Sequence, residues 1–480
     1  MDTIDHLGSA YIDGAFRPLA ARARRPVINP SSEEIVAEVA LAESADVNVA
    51  VQAAKKAFRS FGVSSKADRI ALLRRILAEY RKRADEFAYR MTIEMGTPIT
   101  FSREVQTPLA ARHIEEIILA LQSQPEEAMN RTTVIRREPI GVAALITPWN
   151  WPMLQIVTKL APAIAAGCTV VLKPSEFSPL SALLFAEVMH AAGTPPGVFN
   201  MLNGDGLITG AALSVHPDVD MVSFTGSTRA GIQIAKGAAD TVKRVHQELG
   251  GKSPNIILPD ADLETAVTKG VAGCYLNNGQ SCSAPTRMLV PAELHDRALE
   301  IAKAAAETFV TGDTLDQATT LGPVVNSRQF DHVSRLIQSG GNEGARLLTG
   351  GLGRPANLNR GYFIRPTVFG GVTPDMAIAR EEIFGPVLSI LPYESLDRAV
   401  EIANDTVYGL AAYVQTADLD VARDLASRLR AGDVYLNYPA GDISAPFGGY
   451  KQSGNGREYG EWGIDAFQEV KAVFGLHEAA

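Results

Sequence analysis

The feature that most constrains the fold is a regular alternation of short apolar runs with helix-like segments after Gly141. Alternation at this spacing predicts a parallel sheet with crossover helices, the doubly wound α/β class. A second strand and helix series begins at Asn255 and continues to about Arg430, so we expect a second domain of the same kind. The strand-like runs of the first series lie at 142–146, 169–172, 198–202 and 221–224.

Composition narrows the classes of function. A chain of 480 residues is too long for a single hydrophobic core. The net charge of −9 argues against nucleic acid as a partner, because phosphate contacts need a basic face. We see neither a signal peptide nor a run long and apolar enough to span a bilayer, so no membrane partner is expected. The three cysteines, at 168, 274 and 282, are too few for a disulfide framework, and we expect a reducing, cytoplasmic location.

Polar residues follow three strands of the first series, at the positions where ligands bind in doubly wound sheets. The segments 147–150, 173–176 and 226–227 therefore predict a nucleotide site, although no Gly-x-Gly-x-x-Gly fingerprint is present. Lys173 and Glu176 could grip a ribose or could form a surface ion pair of little net effect. Ser227 could present groups to a pyrophosphate or could be a helix N-cap.

Two further residues have side chains suited to catalysis. Cys282 is flanked by Ser281 and Ser283 in a polar, glycine-containing segment, whereas a structural cysteine usually has apolar neighbours. By itself this pattern favours a surface cysteine over a nucleophile. Glu248 precedes two glycines and could be a general base or simply a carboxylate at a strand end.

Seven motifs in a fixed order resemble the aldehyde dehydrogenase superfamily across nearly the whole chain. Each motif alone is weak, but their common order is specific. They are Pro148-Trp149-Asn150, Lys173-Pro174-Ser175-Glu176, Phe224-Thr225-Gly226-Ser227, Glu248-Leu249-Gly250-Gly251-Lys252, Gly279-Gln280-Ser281-Cys282, Glu381-Glu382-Ile383-Phe384-Gly385-Pro386 and Pro446-Phe447-Gly448-Gly449.

This resemblance implies two doubly wound, Rossmann-like α/β domains, one for the cofactor and one catalytic, plus a small β-arm for oligomerisation. The implied NAD-binding domain comprises residues 1–121 and 140–250, and the catalytic domain residues 251–440. Residues 122–139 and 466–480 would form the arm, which pairs with another subunit in a homotetramer or homodimer. The resemblance also implies a carboxylate–guanidinium link among Glu469, Arg244 and Arg457.

The implied reaction is oxidation of an aldehyde to a carboxylic acid through a thiohemiacetal and a thioester on Cys282. Asn150 and the Cys282 backbone N–H would stabilise the oxyanion, and Glu248 would activate the water that hydrolyses the thioester. Lys159 and Glu458 would form a proton path behind Glu248. A CoA-acylating semialdehyde dehydrogenase and a catalytically silent binding protein are the alternatives, and the presence of both Cys282 and Glu248 argues against them.

NAD is the implied cofactor, and no metal is expected. A carboxylate at the ribose hydroxyls would repel a 2′-phosphate, so Glu176 makes NADP less favourable, while Lys173 could soften that preference. The implied cofactor-binding residues are Thr147, Pro148, Trp149, Lys173, Ser175, Glu176, Gly226, Ser227, Leu249, Gln329, His332, Glu381 and Phe384.

The partner is expected to be a small-molecule aldehyde, and its identity stays open at this point. Gln155 and Thr158 take positions where many relatives have bulkier apolar residues, so a roomy or partly polar pocket is expected. The candidate pocket residues are Trp151, Gln155, Thr158, Ser281, Ser283 and Tyr438.

Overall fold

The computed structural model describes residues 4–476, and the expectations for the two ends of the chain, 1–3 and 477–480, lie outside that range. Two large sheets, mostly parallel and each covered by helices on both faces, form the body of the protein. The predicted fold class, a doubly wound α/β protein with a small additional β-sheet, is confirmed. Within the described residues, no helix has the length and apolar character needed to cross a bilayer.

The strands β1 to β20 are numbered in chain order. They cover Ser9–Ile12, Ala15–Pro18, Arg24–Ile28, Ile35–Ala40, Glu127–Asn130, Thr133–Pro139, Val142–Ile146, Thr169–Lys173, Phe199–Met201, Met221–Thr225, Arg244–Glu248, Pro254–Ile257, Arg287–Pro291, Arg346–Thr349, Thr367–Gly370, Val387–Tyr393, Ala411–Gln415, Asp433–Leu436, Gly454–Asn455 and Gln468–Val473.

The helices α1 to α16 follow the same convention. They cover Ser44–Phe61, Lys66–Lys82, Ala84–Met95, Ile99–Phe101, Thr107–Ser123, Pro152–Ala166, Pro179–Ala191, Ala211–Val215, Thr228–Ala238, Leu263–Tyr275, His295–Glu307, Ser327–Asn342, Ala377–Arg380, Leu396–Asn404, Leu419–Arg428 and Gly460–Ala466.

The first sheet has the order β19-β11-β10-β7-β8-β9-β1-β2, and its five central strands are parallel. Strands β7 and β8 are buried at every position, as expected for strands with helices on both faces. The chain winds in one direction from β7 through β8 to β9 and then in the other through β10 to β11. The carboxyl ends of β7 and β10 therefore flank a switch point, where doubly wound sheets bind ligands.

The second sheet has the order β14-β15-β16-β13-β12-β17-β18, and all its pairs are parallel except β14 with β15. Apolar clusters fill both of its faces, and two more fill the faces of the first sheet. Strand β19, late in the chain, returns to the first sheet and pairs with β11 at Glu248. The segment just after the second sheet is thereby fixed beside the end of β11.

A separate antiparallel sheet, β20-β6-β5, joins two segments far apart in the sequence. An ion pair of 2.9 Å links Arg244, at the start of β11, to Glu469 in β20. Arg244 also donates to the carbonyl oxygens of Ala466 and Gln468. Arg457 donates instead to the carbonyls of Gly449 and Gly456, so only the Arg244 part of the expected link forms within this chain.

A left-handed corner, defined as Asn277, Asn278 and Gly279, connects α10 to the segment carrying Cys282. The φ angles of these residues are 56°, 61° and 71°, a region that asparagine and glycine tolerate best. The Asn278 side chain donates to the carbonyls of Gly96 and Pro323, and its oxygen accepts from the Gly322 N–H. The side chain of Asn278 therefore holds in place the corner that its own backbone helps to form.

We expect Asn278→Ala to lower the free energy of unfolding by about 3 kcal/mol or more, because three buried backbone groups lose their partner. The left-handed φ adds roughly 1–2 kcal/mol for a residue other than glycine or asparagine. Urea unfolding measures the loss. Asn357→Ala, at an exposed loop position, is the matched control, and equal stability of the two variants would contradict the role given to Asn278.

Candidate active site

A cleft of about 710 Å³ lies between the two large sheets, at the switch point of the first. The carboxyl end of β7 contributes Pro148, Trp149 and Asn150 to its wall. The segments after β8, β10 and β11 of the first sheet contribute a second part of the wall, and the second sheet and its connections contribute the rest, including Cys282. The other lining residues are Phe177, Thr225, Gly226, Ser227, Arg229, Leu249, Gly250, Asn326, Arg328, Gln329, His332, Arg380, Glu381, Glu382, Phe384, Val407 and Tyr408.

Cys282 is half-buried, whereas Cys168 and Cys274 are fully buried. Burial raises the pKa of the Cys282 thiol, and the carboxylates of Glu382 and Glu248 raise it further. The sulfur is therefore protonated at neutral pH in the absence of a ligand, and it needs a base or a nearby positive charge to become a thiolate.

Asn150 is buried and tied to the segment that carries Cys282. Its Nδ2 donates to the carbonyl of Gln280 at 2.9 Å, and its own carbonyl accepts from Asn277 Nδ2 at 2.7 Å. A side-chain amide has two hydrogens, so one of them remains available after the bond to Gln280. This geometry holds the amide beside the nucleophile in a single orientation.

Glu248 ends β11 and is 3% exposed, yet neither carboxylate oxygen has a hydrogen-bond partner among the described residues. A Cβ on Gly448 would come within 2.7 Å of Glu248 Oε1, so the glycine leaves room for the carboxylate. Burial raises the pKa of Glu248 well above its usual value, and the nearby Glu458 adds to the rise.

A buried ion pair joins Lys159 on α6 to Glu458. The imidazole Nε2 of His246 lies 3.5 Å from Glu248 Oε1. Burial and the charge on Lys159 lower the pKa of His246 to about 3, so this imidazole is neutral. Lys159 and Glu458 are thus close enough to affect the pKa of Glu248, as the sequence analysis expected, and the uncharged His246 is its third polar neighbour.

Lys173 and Glu176 form an ion pair of 3.2 Å just past the end of β8. Both are largely shielded from solvent, so they are not the exposed surface pair considered above. Burial acts to raise the pKa of Glu176, but the ammonium of Lys173 outweighs it and the pKa lies below its usual value. Ser175 is buried and its hydroxyl accepts from the Phe177 N–H.

The start of α9 faces the cleft through Gly226 and Ser227. Ser227 is an N-cap, because its hydroxyl accepts from the Ala230 N–H at 3.3 Å. Three guanidinium groups line the same cleft in a protein of net charge −9, those of Arg229, Arg328 and Arg380. A helix N-terminus with arginines nearby is suited to binding an anion such as a pyrophosphate. Ser227 can therefore be a helix N-cap and also lie where a pyrophosphate would bind.

Trp149 and Phe384 meet edge to face in the cleft, with ring centroids 5.5 Å apart. Gln329 Nε2 donates to the carbonyls of Ile383 and Phe384, both at 3.0 Å, and so holds this wall in place. His332 Nε2 donates to the Glu382 carbonyl at 3.1 Å. Thr147 and Leu249 are buried at the ends of β7 and β11.

Glu381 and Glu382 differ sharply in environment. The Glu381 carboxylate is half-exposed and pairs with Arg335 at 3.0 Å. The Glu382 carboxylate is held over the two glycines, where Oε1 accepts from the Gly251 N–H at 2.8 Å. Burial raises the pKa of Glu382 to about 7. The sequence analysis assigned Glu381 to the cofactor, whereas the less exposed of the two carboxylates, which also raises the pKa of Cys282, is that of Glu382.

The candidate substrate residues of α6 are brought together. The Trp151 indole donates to the Ser281 hydroxyl at 3.0 Å, and its ring lies 5.6 Å from that of Phe101. Gln155 and Thr158 follow at one and two turns along α6, and both are buried.

Tyr438 is placed differently. Its hydroxyl accepts from Asn255 Nδ2 at 2.8 Å, and a Cβ on Gly270 of α10 would come within 3.0 Å of it. The φ angle of Tyr438 is 50°, a backbone turn that sequence spacing does not reveal. Its side chain packs on α10, so the structure does not support a substrate contact for it. The Ser283 carbonyl accepts from the Tyr413 hydroxyl at 3.1 Å.

The sequence analysis missed Glu382 and the three cleft arginines. The signal for Glu382 was present at Gly250, whose missing side chain leaves space for its carboxylate. Among residues 4–476 there is no group of His, Cys, Asp and Glu side chains that could hold a metal ion.

Comparison with known proteins agrees with this geometry. Residues 18–473 match the model of the aldehyde dehydrogenase family. A 3-succinoylsemialdehyde-pyridine dehydrogenase of a Pseudomonas species is 50% identical over 97% of this chain and 98% of its own length.

Solved structures agree as well. An aldehyde dehydrogenase of Pseudomonas syringae, solved as a cysteine-to-alanine variant with NAD+ and octanal, is 51% identical with a TM-score of 0.99 over 100% of this chain and 99% of its own. An aldehyde dehydrogenase of Bacillus cereus in complex with NAD+ is 37% identical with a TM-score of 0.93, over 97% and 96% of the two chains. The predicted resemblance is thus confirmed, and this chain belongs to the aldehyde dehydrogenase family.

Proposed function

We propose that this protein oxidises an aldehyde to the carboxylic acid with Cys282 as nucleophile and NAD as the hydride acceptor. The single observation that carries the proposal is that Cys282 and Asn150 line one cleft of the right size for a dinucleotide, with the buried carboxylate of Glu248 directly before the lining residues Leu249 and Gly250. The relatives named above, two of them solved with NAD+, support the same reaction class.

The nucleophilic step follows from the positions of Cys282 and Asn150. Thiolate attack on the aldehyde carbon gives a thiohemiacetal and leaves a negative charge on the aldehyde oxygen. The free hydrogen of Asn150 Nδ2 and the Cys282 backbone N–H donate to that oxygen. Losing one such donor costs ~3 kcal/mol of transition-state stabilisation.

The hydrolytic step belongs to Glu248. The thioester on Cys282 is attacked by water, and a carboxylate with unpartnered oxygens and a raised pKa can take the proton of that water. The buried pair of Lys159 and Glu458 provides a route for the proton away from Glu248.

The residues of the cleft fit NAD, which when bound supplies the hydride acceptor. Arg229, Arg328 and the N–H groups at the start of α9 suit the pyrophosphate. The ionised Glu176 suits ribose hydroxyls and disfavours a 2′-phosphate, so NAD is preferred to NADP. Trp149 and Phe384 form an aromatic wall at the end nearer Cys282.

Within this cofactor site we assign the nicotinamide ribose to Glu382 rather than to Glu381. The Glu381 carboxylate is already paired with Arg335 and faces solvent. Glu382 is half-buried against Gly250 and accepts from the Gly251 N–H, and its charge is the first among those that raise the pKa of Cys282. Leu249, Gln329 and His332 then line the cleft around the cofactor, while Thr147 and Ser175 are buried just past the ends of β7 and β8.

Two alternatives are less well supported. A CoA-acylating enzyme would release the acyl group to a thiol and would not need Glu248 as a base. A silent binding protein would need neither Cys282 nor Glu248 in a cleft. Both residues are present, and Glu248 is held with its oxygens unpartnered.

The proposed assembly is a homodimer or homotetramer built through the sheet β20-β6-β5. This sheet exposes the apolar side chains of Val470 and Met129, and Phe474 directly after β20 is also exposed, which favours contact with another protein surface. The proposed domains are 1–121 and 140–250 for NAD, 251–440 for catalysis, and 122–139 with 466–480 for the arm. A reducing cytoplasm is the proposed location, supported by the free thiols of Cys168 and Cys274.

Cys282→Ala should abolish aldehyde oxidation and leave NAD affinity within about twofold, because the thiol is required only for the covalent step. NADH formation and calorimetric NAD binding measure the two quantities. Cys168→Ala, at a buried position outside the cleft, is the matched control and should retain activity. Substantial turnover by Cys282→Ala would overturn the assignment.

Glu248→Gln should form one equivalent of NADH per active site in a burst and then turn over at least about 100-fold more slowly, since the thioester loses its base. In the unaltered enzyme, kcat should rise with pH through the raised pKa of Glu248, because only the deprotonated carboxylate accepts a proton. Stopped-flow NADH absorbance across pH tests both statements. Fast steady turnover without a burst would show that another group activates water.

Val470→Asp should shift the elution volume toward a smaller species, because Val470 is 69% exposed in the middle of β20 and a buried unpaired charge would oppose association. Val63→Asp, in a turn where the valine is 83% exposed, controls for an added surface charge. Light scattering reports the masses. Identical masses for both variants and the unaltered protein would contradict the proposed arm.

A further inference from the structure

Two buried polar atoms on α6, the helix that follows Trp151, have no partner. Gln155 is 6% exposed and Thr158 is 4% exposed, and neither Gln155 Oε1 nor Thr158 Oγ1 has a hydrogen bond to any described residue. A threonine inside a helix ordinarily returns its hydroxyl to the carbonyl of residue i−4, and Thr158 does not. A buried polar group without a partner is costly, so both groups need an explanation.

The two side chains share one face of α6. The apolar core of the first domain receives Met153, Ile156, Val157 and Leu160, which lie on the opposite side of the helix. The other face begins at Trp151 and continues at 155, 158 and 159, the spacing of neighbours along a helix.

Both ends of that second face are anchored at the active centre. Trp151 donates to Ser281, which adjoins Cys282, and Lys159 pairs with Glu458. Gln155 and Thr158 lie between these two anchors. With a rise of 1.5 Å per residue, they follow Trp151 by about 6 Å and about 10 Å along the helix axis.

Resting on the proposed function, we propose that Gln155 and Thr158 form a polar subsite that selects aldehydes with a second, uncharged hydrogen-bonding group a few bonds beyond the aldehyde carbon. A ketone oxygen, a hydroxyl group or a ring nitrogen fits this description. The Thr158 hydroxyl can donate or accept, and the Gln155 amide offers an oxygen and an NH2 group.

The face of α6 that carries Gln155 and Thr158 has no unpaired charge, which indicates that the second polar group of the substrate is uncharged. Lys159 is the one ionised side chain in the sequence of α6, and Glu458 neutralises it. A carboxylate on the substrate would therefore be buried without a counter-ion, which is strongly unfavourable. A purely apolar chain would leave Gln155 and Thr158 unpartnered, so an aldehyde with an uncharged polar group is preferred to both.

A matched pair of substrates isolates this effect. Octanal and 4-oxooctanal have the same chain length and differ by one ketone oxygen. We expect kcat/KM to be higher for 4-oxooctanal in the unaltered enzyme. In Gln155→Met and in Thr158→Val, the ratio of the two kcat/KM values should fall about threefold to tenfold, the range for one lost hydrogen bond. Octanal should react better in the variants, because an unpaired polar group has been removed.

The control is Thr194→Val, since Thr194 is also a buried threonine with an unpartnered hydroxyl but follows α7 and does not share the α6 face between Trp151 and Lys159. It should leave the substrate ratio unchanged. Either of the two test variants suffices if the other fails to fold. An equal ratio in the unaltered enzyme and both variants, with both aldehydes oxidised, overturns the polar subsite and leaves the proposed function standing. Oxidation of neither aldehyde by the unaltered enzyme would count against the proposed function itself.

Discussion

The active centre depends on the left-handed corner at Asn277, Asn278 and Gly279. A Cβ on Gly279 would lie 2.2 Å from the carbonyl carbon of Gly385, so the corner and the Glu381–Pro386 segment can approach only because this residue is glycine. Asn277 bonds to Asn150, and Asn278 bonds to Gly96, Pro323 and Gly322. One short turn thereby fixes the nucleophile, the oxyanion donor and the aromatic wall relative to one another.

Charge is arranged around that corner so that the resting site is mostly neutral. Burial raises the pKa of Cys282, Glu248 and Glu382 and lowers that of His246. Each group therefore favours its uncharged form more strongly than it would in water. The positively charged nicotinamide ring of bound NAD would favour the thiolate of Cys282 and the carboxylate of Glu382 together, which links formation of the nucleophile to the presence of the cofactor.

Much of this organisation could be predicted from the sequence, because strand and helix periodicity reports burial and the ordered motifs report the chemistry. Cys282, Asn150, Glu248, Lys159 and Glu458 meet as expected. The assignment of the nicotinamide ribose to Glu381 stays a prediction, because adjacent residues in extended chain face opposite sides and sequence alone does not say which of Glu381 and Glu382 is the less exposed. Tyr438 was misplaced because its positive φ turns the side chain away from the direction that an extended strand would give.

The hydrogen-bond partners of buried polar groups carry information that the sequence motifs do not. The resemblance already marks Gln155 and Thr158 as candidate pocket residues, but both residue types are common at exposed helical positions. Their significance appears only when burial and hydrogen bonding are counted together, because a folded protein satisfies nearly all of its buried polar groups. Hydrogen bonding also distinguishes Glu248 from Glu94. The Glu248 oxygens have no partner and suit a base, whereas the Glu94 carboxylate accepts hydrogen bonds from Leu180 and Ser181 at the start of α7. Unpartnered groups near Cys282 are therefore the residues available to water and substrate, whereas saturated ones hold the framework.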